Sequence, residues 1–201
     1  MKLLRAAPIL ALLLAGSAHA TTFGPTASVG VLATPTMDNG SFTLDSMTGP
    51  MAQVGFQVGD WWNSQFMFQF ANATGNIDFA NTPLQGRSRV QTLMGGYQLT
   101  FDIFGKQGMH GFTPFLGAGI LIGTAHVEVD ASSSDPMVQE QLIESGATKQ
   151  NRDGPILELH ALAGVRYRIF DGFAVRGELG YSTYGGFFGT WQPKLGAEYA
   201  F

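Results

Sequence analysis

Charged side chains occupy alternate positions in the last quarter of the 201-residue chain. Alternate residues of a β-strand point to the same face, so charges spaced by two lie on one side of a sheet. Acids and bases gathered on one face can neutralise each other as an ionic network. The even-numbered members of this predicted lumenal charge network are Glu158, His160, Arg166, Arg168, Arg176, Glu178, Lys194 and Glu198.

The turns between these segments predict which charges meet. A turn centred near Phe187 would place Arg176 opposite Glu198 and Glu178 opposite Gly196. A buried charge without a partner is very costly. We therefore expect a paired network that fixes strand register and fills the space between strands.

The same face offers a weaker route to catalysis. A serine hydrolase needs a serine within hydrogen-bond reach of a histidine. His160 or His126 could act as the base, and Ser182 is the one serine on this face of the last three strands. No serine motif accompanies either histidine, and no His, Asp or Glu spacing resembles a metal site. The expectation is no catalytic residue, no metal and no cofactor, with a hydrolase as the alternative.

Period-two alternation of apolar and polar residues predicts the strands that carry these charges. It is clearest after residue 155, where apolar odd-numbered positions alternate with the charged even-numbered ones. The segment 112–129 is assigned from its glycine and β-branched content, because its glycines blur the register. The eight predicted strands lie near residues 27–34, 52–59, 65–70, 93–102, 112–129, 156–170, 173–182 and 191–201.

The connections between these strands alternate in length. Asp135 followed by a proline predicts the start of a short helix in the third long connection. Short turns at one end and long loops at the other are typical of a transmembrane β-barrel. The long connections are Pro35–Pro50, Ala73–Ser88 and Asp130–Pro155.

Composition narrows the class of protein. The chain is 45% hydrophobic and 13% charged and has no cysteine, whereas roughly a quarter of the residues in a soluble domain are charged. A basic and then apolar start that ends at Ala18-His19-Ala20 predicts a cleaved secretory signal peptide over residues 1–20. The barrel domain then spans residues 21–201. The net charge of −4 argues against nucleic acid as a partner.

The two faces of the strands suit different surroundings. Eight strands enclose only enough space for side chains, so small and charged residues fit the interior and bulky apolar residues fit lipid. Aromatic residues cluster towards both strand ends, which is typical of membrane interfaces. We therefore predict an all-β fold, an eight-stranded antiparallel transmembrane β-barrel with short periplasmic turns, longer extracellular loops and both termini in the periplasm.

The C-terminal residues resemble the terminal signal of bacterial outer-membrane barrels. That signal is a final phenylalanine preceded by apolar or aromatic residues at alternate positions, here Leu195, Ala197, Tyr199 and Phe201. The mature chain is similar to small outer-membrane proteins of the OmpA-barrel and OmpX type. The resemblance implies recognition by the barrel-assembly machinery and residence in the outer membrane.

Three functions follow as hypotheses. The first is a non-enzymatic structural or surface-interaction role, in which the extracellular loops meet an external ligand or a host surface. The second is a hydrolase that modifies lipid A, and the third is a narrow channel for small solutes. Arg87 and Arg89 face outward beyond the apolar stretch of their strand, where they either contact lipopolysaccharide phosphates or form a solvated pair.

Overall fold

The computed structural model describes residues 22–38, 42–59, 62–79, 82–103, 111–170, 172–184 and 188–199. The predicted signal peptide and Phe201 lie outside the described residues. The elements are β1 (Thr22–Ala33), β2 (Met37–Asp38), β3 (Phe42–Leu44), β4 (Thr48–Gly59), β5 (Trp62–Phe79), β6 (Leu84–Asp102), β7 (Phe112–Ser133), α1 (Pro136–Glu144), β8 (Lys149–Phe170), β9 (Phe173–Tyr184) and β10 (Phe188–Tyr199).

Eight long strands close into a ring. Each pairs antiparallel with its neighbours in the order β1, β4, β5, β6, β7, β8, β9 and β10, and β10 returns to β1. The short β2 and β3 form a hairpin whose second strand pairs with the far end of β5. The predicted eight-stranded antiparallel barrel is confirmed. We call the end that holds the start of β1 and the end of β10 the turn end, and the opposite end the loop end.

The two faces of the barrel have the opposite polarity to those of a soluble protein, with polar side chains inside and apolar side chains outside. On β5, for example, Gln65 and Gln69 are buried in the lumen while Phe66, Phe68 and Phe70 are exposed. A water-soluble barrel would bury the phenylalanines, because burial of apolar surface drives folding in water. The outward apolar face therefore matches lipid, as the alternation predicted.

Aromatic pairs sit at both rims of this apolar face. At the turn end the rings of Phe170 and Phe173 stack with centroids 5.1 Å apart. At the loop end the rings of Tyr181 and Trp191 meet edge to face at 5.0 Å. Amphipathic rings are stable where lipid meets water, so these pairs mark the two edges of the apolar band.

The strands at the loop end are longer than predicted. β7 and β8 each have 22 residues, whereas crossing a bilayer takes about 9–11. Residues 73–79, 84–88, 130–133 and 149–155 were predicted as loop and are strand instead. Backbone pairing does not need apolar side chains, so the ladder continues after the alternation has ended.

A short helix joins the two longest strands. The Asp135 side chain accepts a hydrogen bond from the backbone N–H of Met137 at 2.9 Å, and Pro136 is the first helical residue. This is the predicted cap, because an N-terminal carboxylate satisfies a free helix N–H. None of the helices among the described residues is long and apolar enough to cross a membrane.

Candidate functional site: the layered lumen

The lumen is filled by charged side chains towards the turn end. Arg166 Nη1 lies 2.8 and 2.7 Å from the two carboxylate oxygens of Asp102, and its Nε pairs with Glu198. Arg176 Nη2 lies 2.8 Å from Glu178. These five buried residues, with Lys194 3.7 Å from Glu178, form what we call the ionic plug.

One buried aromatic ring supports the plug. Phe115 lies on β7 with the guanidinium carbons of Arg166 and Arg176 5.2 and 5.4 Å from its ring centroid. A guanidinium within about 6 Å of a ring face is attracted by the ring quadrupole. The ring thus contacts two cations that sit opposite each other on β8 and β9. Neither Asp102 nor Phe115 was among the residues predicted from sequence.

The pairing across the last hairpin differs from the prediction. Arg176 lies opposite Gly196, and Glu178 lies opposite Lys194, whereas the sequence was interpreted to pair Arg176 with Glu198 and Glu178 with Gly196. The turn is centred one residue earlier than predicted, which moves each partner by two. Three glycines in the segment 185–189 gave no unique turn position. Glu198 still reaches Arg176 diagonally, at 3.7 Å.

Arg168 does not join the plug. It has the predicted lumenal parity and lies opposite Ala174, but it is exposed near the turn end. The register of β8 and β9 shifts between Arg168 and Phe170, where the barrel wall ends. The assignment of Arg168 to the lumenal network is therefore wrong, because parity cannot tell where along the strand the lumen stops.

A single buried carboxylate marks the middle of the lumen. Glu158 is fully buried and accepts hydrogen bonds from Ser182 Oγ at 2.7 Å, Gln69 Nε2 at 3.0 Å and Gln192 Nε2 at 3.1 Å. Three neutral donors therefore hold one carboxylate, with His160 Nδ1 3.5 Å away. A buried carboxylate with its lone pairs occupied is stabilised without a direct lysine or arginine partner.

The geometry around His160 does not form a serine–histidine pair. Ser182 lies opposite His160 in the strand register, yet its hydroxyl donates to Glu158. The other ring nitrogen of His160, Nε2, lies 2.9 Å from Gln98 Oε1. Gly119 faces the ring so closely that a β-carbon there would collide with it. His160 is thus held in a packed position beside the carboxylate.

His126 lies away from the lumen. It is on the outward face of β7, with Nδ1 2.6 Å from an Asp153 oxygen on β8, and both side chains are exposed. Within the described residues no group of three His, Asp or Glu side chains could hold a metal ion. The two histidines considered for a hydrolase are therefore on opposite faces of the wall.

Above the carboxylate the lumen becomes apolar and holds a cavity of about 210 Å³. We call this cavity the upper chamber. It was not among the features predicted from the sequence. The signal was present: lumen-facing positions such as Ala71, Ala73, Ala125 and Val127 are apolar, so the alternation fades on these stretches. The chamber is lined by Leu32, Thr34, Met37, Leu44, Met47, Ala71, Ala73, Ser88, Val90, Thr92, Ala125, Val127, Ile156, Tyr184 and Thr190.

The outward arginines lie opposite acids. Arg87 is opposite Asp130, and Arg89 is opposite Glu128. Lys149 pairs with Glu128, and this hydrogen bond lowers the pKa of Glu128 and raises the pKa of Lys149. Cations and acids therefore alternate on the outer surface of β6, β7 and β8.

Comparison with known proteins adds information on the fold. No family model matches the chain, and no curated protein matches it. The transport unit of the autotransporter AIDA-I from Escherichia coli has a TM-score of 0.50 and 10% identity, over 90% of this chain and 91% of that chain. Ail, the attachment invasion locus protein of Yersinia pestis, has a TM-score of 0.46 and 16% identity, over 89% and 98%. The N-terminal β-barrel domain of Pseudomonas aeruginosa OprF has 0.38 and 15%, over 88% and 97%.

The closed ring, the outward apolar face and the likeness to the AIDA-I barrel together define the class. The protein is a small β-barrel of the bacterial outer-membrane type, as its C-terminal signal and alternation predicted. At these identities the likeness establishes the fold alone. Of the terminal signal, Leu195 and Tyr199 are exposed on the outward face of β10 and Ala197 is half-buried.

Proposed function

We propose that the protein is a non-enzymatic outer-membrane barrel that binds a partner outside the cell through the sheet that β5, β6, β7 and β8 extend beyond the membrane. Both termini lie in the periplasm, and the barrel-assembly machinery inserts the chain through its C-terminal signal. The observation that carries this proposal is strand length. A strand of 22 residues, tilted as in known barrels, rises about 50 Å, roughly twice the ~25 Å apolar band.

The charge of the loop end indicates the kind of partner. The segments 38–45, 76–89 and 126–153 contain nine acidic and four basic residues, so their formal charge is 4 − 9 = −5. An acidic surface attracts cationic partners and repels polyanions. The expected partner is therefore a basic protein segment.

Orientation can be tested on intact cells because the chain has no cysteine. Ser134→Cys, at the loop end, should react with a membrane-impermeant maleimide. Arg168→Cys is the matched control: it is equally exposed, at the turn end, and should react only after the outer membrane is permeabilised. The opposite labelling pattern would refute the proposed orientation.

Partner binding can be tested with the mature protein in zwitterionic nanodiscs on a biosensor. Poly-lysine should bind, heparin should not, and the binding should weaken with salt. A variant in which residues 134–148 are replaced by a two-residue turn removes three acids and no base and should bind poly-lysine less. Equal binding to full-length, trimmed and empty nanodiscs would contradict the proposal.

The ionic plug favours a binding role over conduction. We expect a narrow lumen crossed by paired charges to leave no continuous water path at that level. The Ser182–Glu158 hydrogen bond in turn occupies the hydroxyl that a hydrolase would need as its nucleophile. Lipopolysaccharide contact by Arg87 and Arg89 stays a prediction, in which lipid phosphates must compete with the facing acids.

A further inference from the structure

The upper chamber is a cavity that the proposed surface role does not use. Cavities lined by apolar side chains stay dry and take up apolar molecules, and about 150 Å³ suffices for benzene. The chamber of about 210 Å³ is therefore large enough for several methylene groups. The segment between β1 and β4 covers the chamber with the side chains of Met37, Leu44 and Met47.

Two hydroxyl oxygens that line the chamber, those of Thr92 and Thr190, lack a hydrogen-bond partner among the described residues. The Thr92 hydroxyl is buried, lines the cavity and makes no hydrogen bond within the described part of the chain. A buried hydroxyl without a partner costs free energy that a ligand oxygen would recover. A ligand that combines a hydrocarbon segment with an ester or carboxyl oxygen satisfies both features.

The backbone pairing of the barrel wall is interrupted beside this chamber. β1 and β10 pair continuously from Thr26 to Gly30 and again at Ala33, whereas in the described strands Val31 and Leu32 have no partner on β10. Pro193 stands in the facing position, and a proline cannot donate to a ladder. Leu32, next to Val31, lines the chamber itself.

A second interruption lies one strand further along the wall, between β4 and β5. Val31 is opposite Pro50 on β4, and the pairing of β4 with β5 omits Gly49 and Pro50. Ala73, in the omitted part of β5, lines the chamber. Both prolines are exposed on the outward face, so two gaps in hydrogen bonding flank the chamber where the wall meets lipid.

The surroundings of these gaps decide the occupant. Outward residues beside them, Val31, Phe70 and Trp191, are exposed and apolar or aromatic, whereas outward Asn72 at the second gap accepts a hydrogen bond from Arg89. The gaps therefore lie at the outer edge of the apolar band. The molecules in contact with the wall at that height are lipids. We propose that the upper chamber takes up one acyl chain of an outer-leaflet lipid, which enters sideways through the proline-interrupted wall.

The test uses the folded mature protein in nanodiscs of phosphatidylcholine with a photoreactive diazirine at the end of one acyl chain. After illumination and digestion, mass spectrometry maps the labelled residues. The proposal expects label on inward residues such as Met47, Val90 and Ile156, in addition to outward Phe70 and Leu93. Label confined to outward residues would overturn it.

Filling the chamber provides the matched comparison. Ala125→Phe, or Ala73→Phe if the first variant folds poorly, should lower inward labelling by roughly tenfold or more, because the chain loses the free energy of burying several methylene groups. Ala118→Phe, outward on the same strand as Ala125, should leave it unchanged. Folding of each variant is checked by heat-modifiable gel migration. Undiminished inward labelling in both filled variants would contradict the proposal.

The route is tested by restoring a donor at the gap. Pro193→Val should slow inward labelling several-fold, whereas Pro25→Val, an exposed proline on β1 near the turn end, should not change its rate. A second arm supplies the diazirine chain as a free fatty acid to unlabelled nanodiscs. If inward labelling occurs only in that arm, entry from a membrane lipid is refuted.

Discussion

The two halves of the lumen are packed by different physical principles. Towards the turn end, Arg166, Arg176 and their carboxylate partners fill the barrel, and every charge lies beside an opposite one. Towards the loop end, alanines, methionines and aliphatic side chains enclose an unfilled cavity. One barrel thus contains a tightly specified half and a loosely filled half.

The contrast indicates that one half of the barrel fixes the strand register and the other half is suited to binding. Paired charges are costly when mismatched, so they tolerate few alternative arrangements. Apolar side chains of the right total volume tolerate many. We therefore expect the plug to fix the barrel and the chamber to be the part that can change its contents.

The largest effect is expected from breaking the plug. Arg166→Met removes the guanidinium that pairs with both Asp102 and Glu198, which should reduce the free energy of unfolding by about 3–5 kcal/mol. Urea titration in lipid vesicles, followed by gel migration of the folded form, measures this change.

Arg168→Met is the control for that variant. It removes the same chemical group two residues further along β8, where the side chain is exposed, and should change stability by less than about 0.5 kcal/mol. If both variants lost a similar amount of unfolding free energy, the ionic plug would not be what stabilises the turn-end half of the barrel.

A smaller effect separates two inward positions of β7. Gly119→Ala forces a methyl group against the His160 ring and should cost about 1–3 kcal/mol. Ala125→Leu adds more atoms but enters the cavity, so its cost should stay below about 1 kcal/mol. The same urea titration measures both costs. A larger cost for Ala125→Leu than for Gly119→Ala would mean that the upper chamber cannot accommodate a larger side chain.

The smallest effect concerns the outer surface. Replacing Arg87 and Arg89 by glutamine should lower the amount of lipopolysaccharide that copurifies with the barrel, while leaving urea stability unchanged because surface pairs contribute little. Mass spectrometry of the bound lipid measures the difference, with Arg152→Gln as an exposed control. Equal lipopolysaccharide in all three preparations would refute this contact.

Sequence alone was sufficient for the barrel but not for its contents. Alternation predicted the strands and their lipid face, because side-chain direction follows from backbone geometry at every position. Register across the last hairpin was wrong because Gly185, Gly186 and Gly189 allow several turns. The exposed position of Arg168 was missed because an even residue number indicates which face of the strand a side chain is on, but not where along the barrel axis it lies.

The chamber and the plug partners were missed for a different reason. Asp102 is distant in sequence from Arg166, and the two meet because β6 and β8 pair with the two edges of β7 in a register that the sequence left unspecified. The chamber depends on which small residues meet across the lumen, such as Ala73 and Ala125. Such contacts arise from the whole barrel and leave only a faded alternation in the sequence.

Electrical recording tests most directly the claim that the ionic plug closes the lumen. The mature protein is inserted into a planar bilayer, with insertion confirmed by gel migration of protein recovered from matched vesicles. We expect no steady conductance steps from the native chain or from Ala125→Leu, because the ionic plug closes the lumen on the turn-end side of the upper chamber. Steady conductance from the native chain would contradict it.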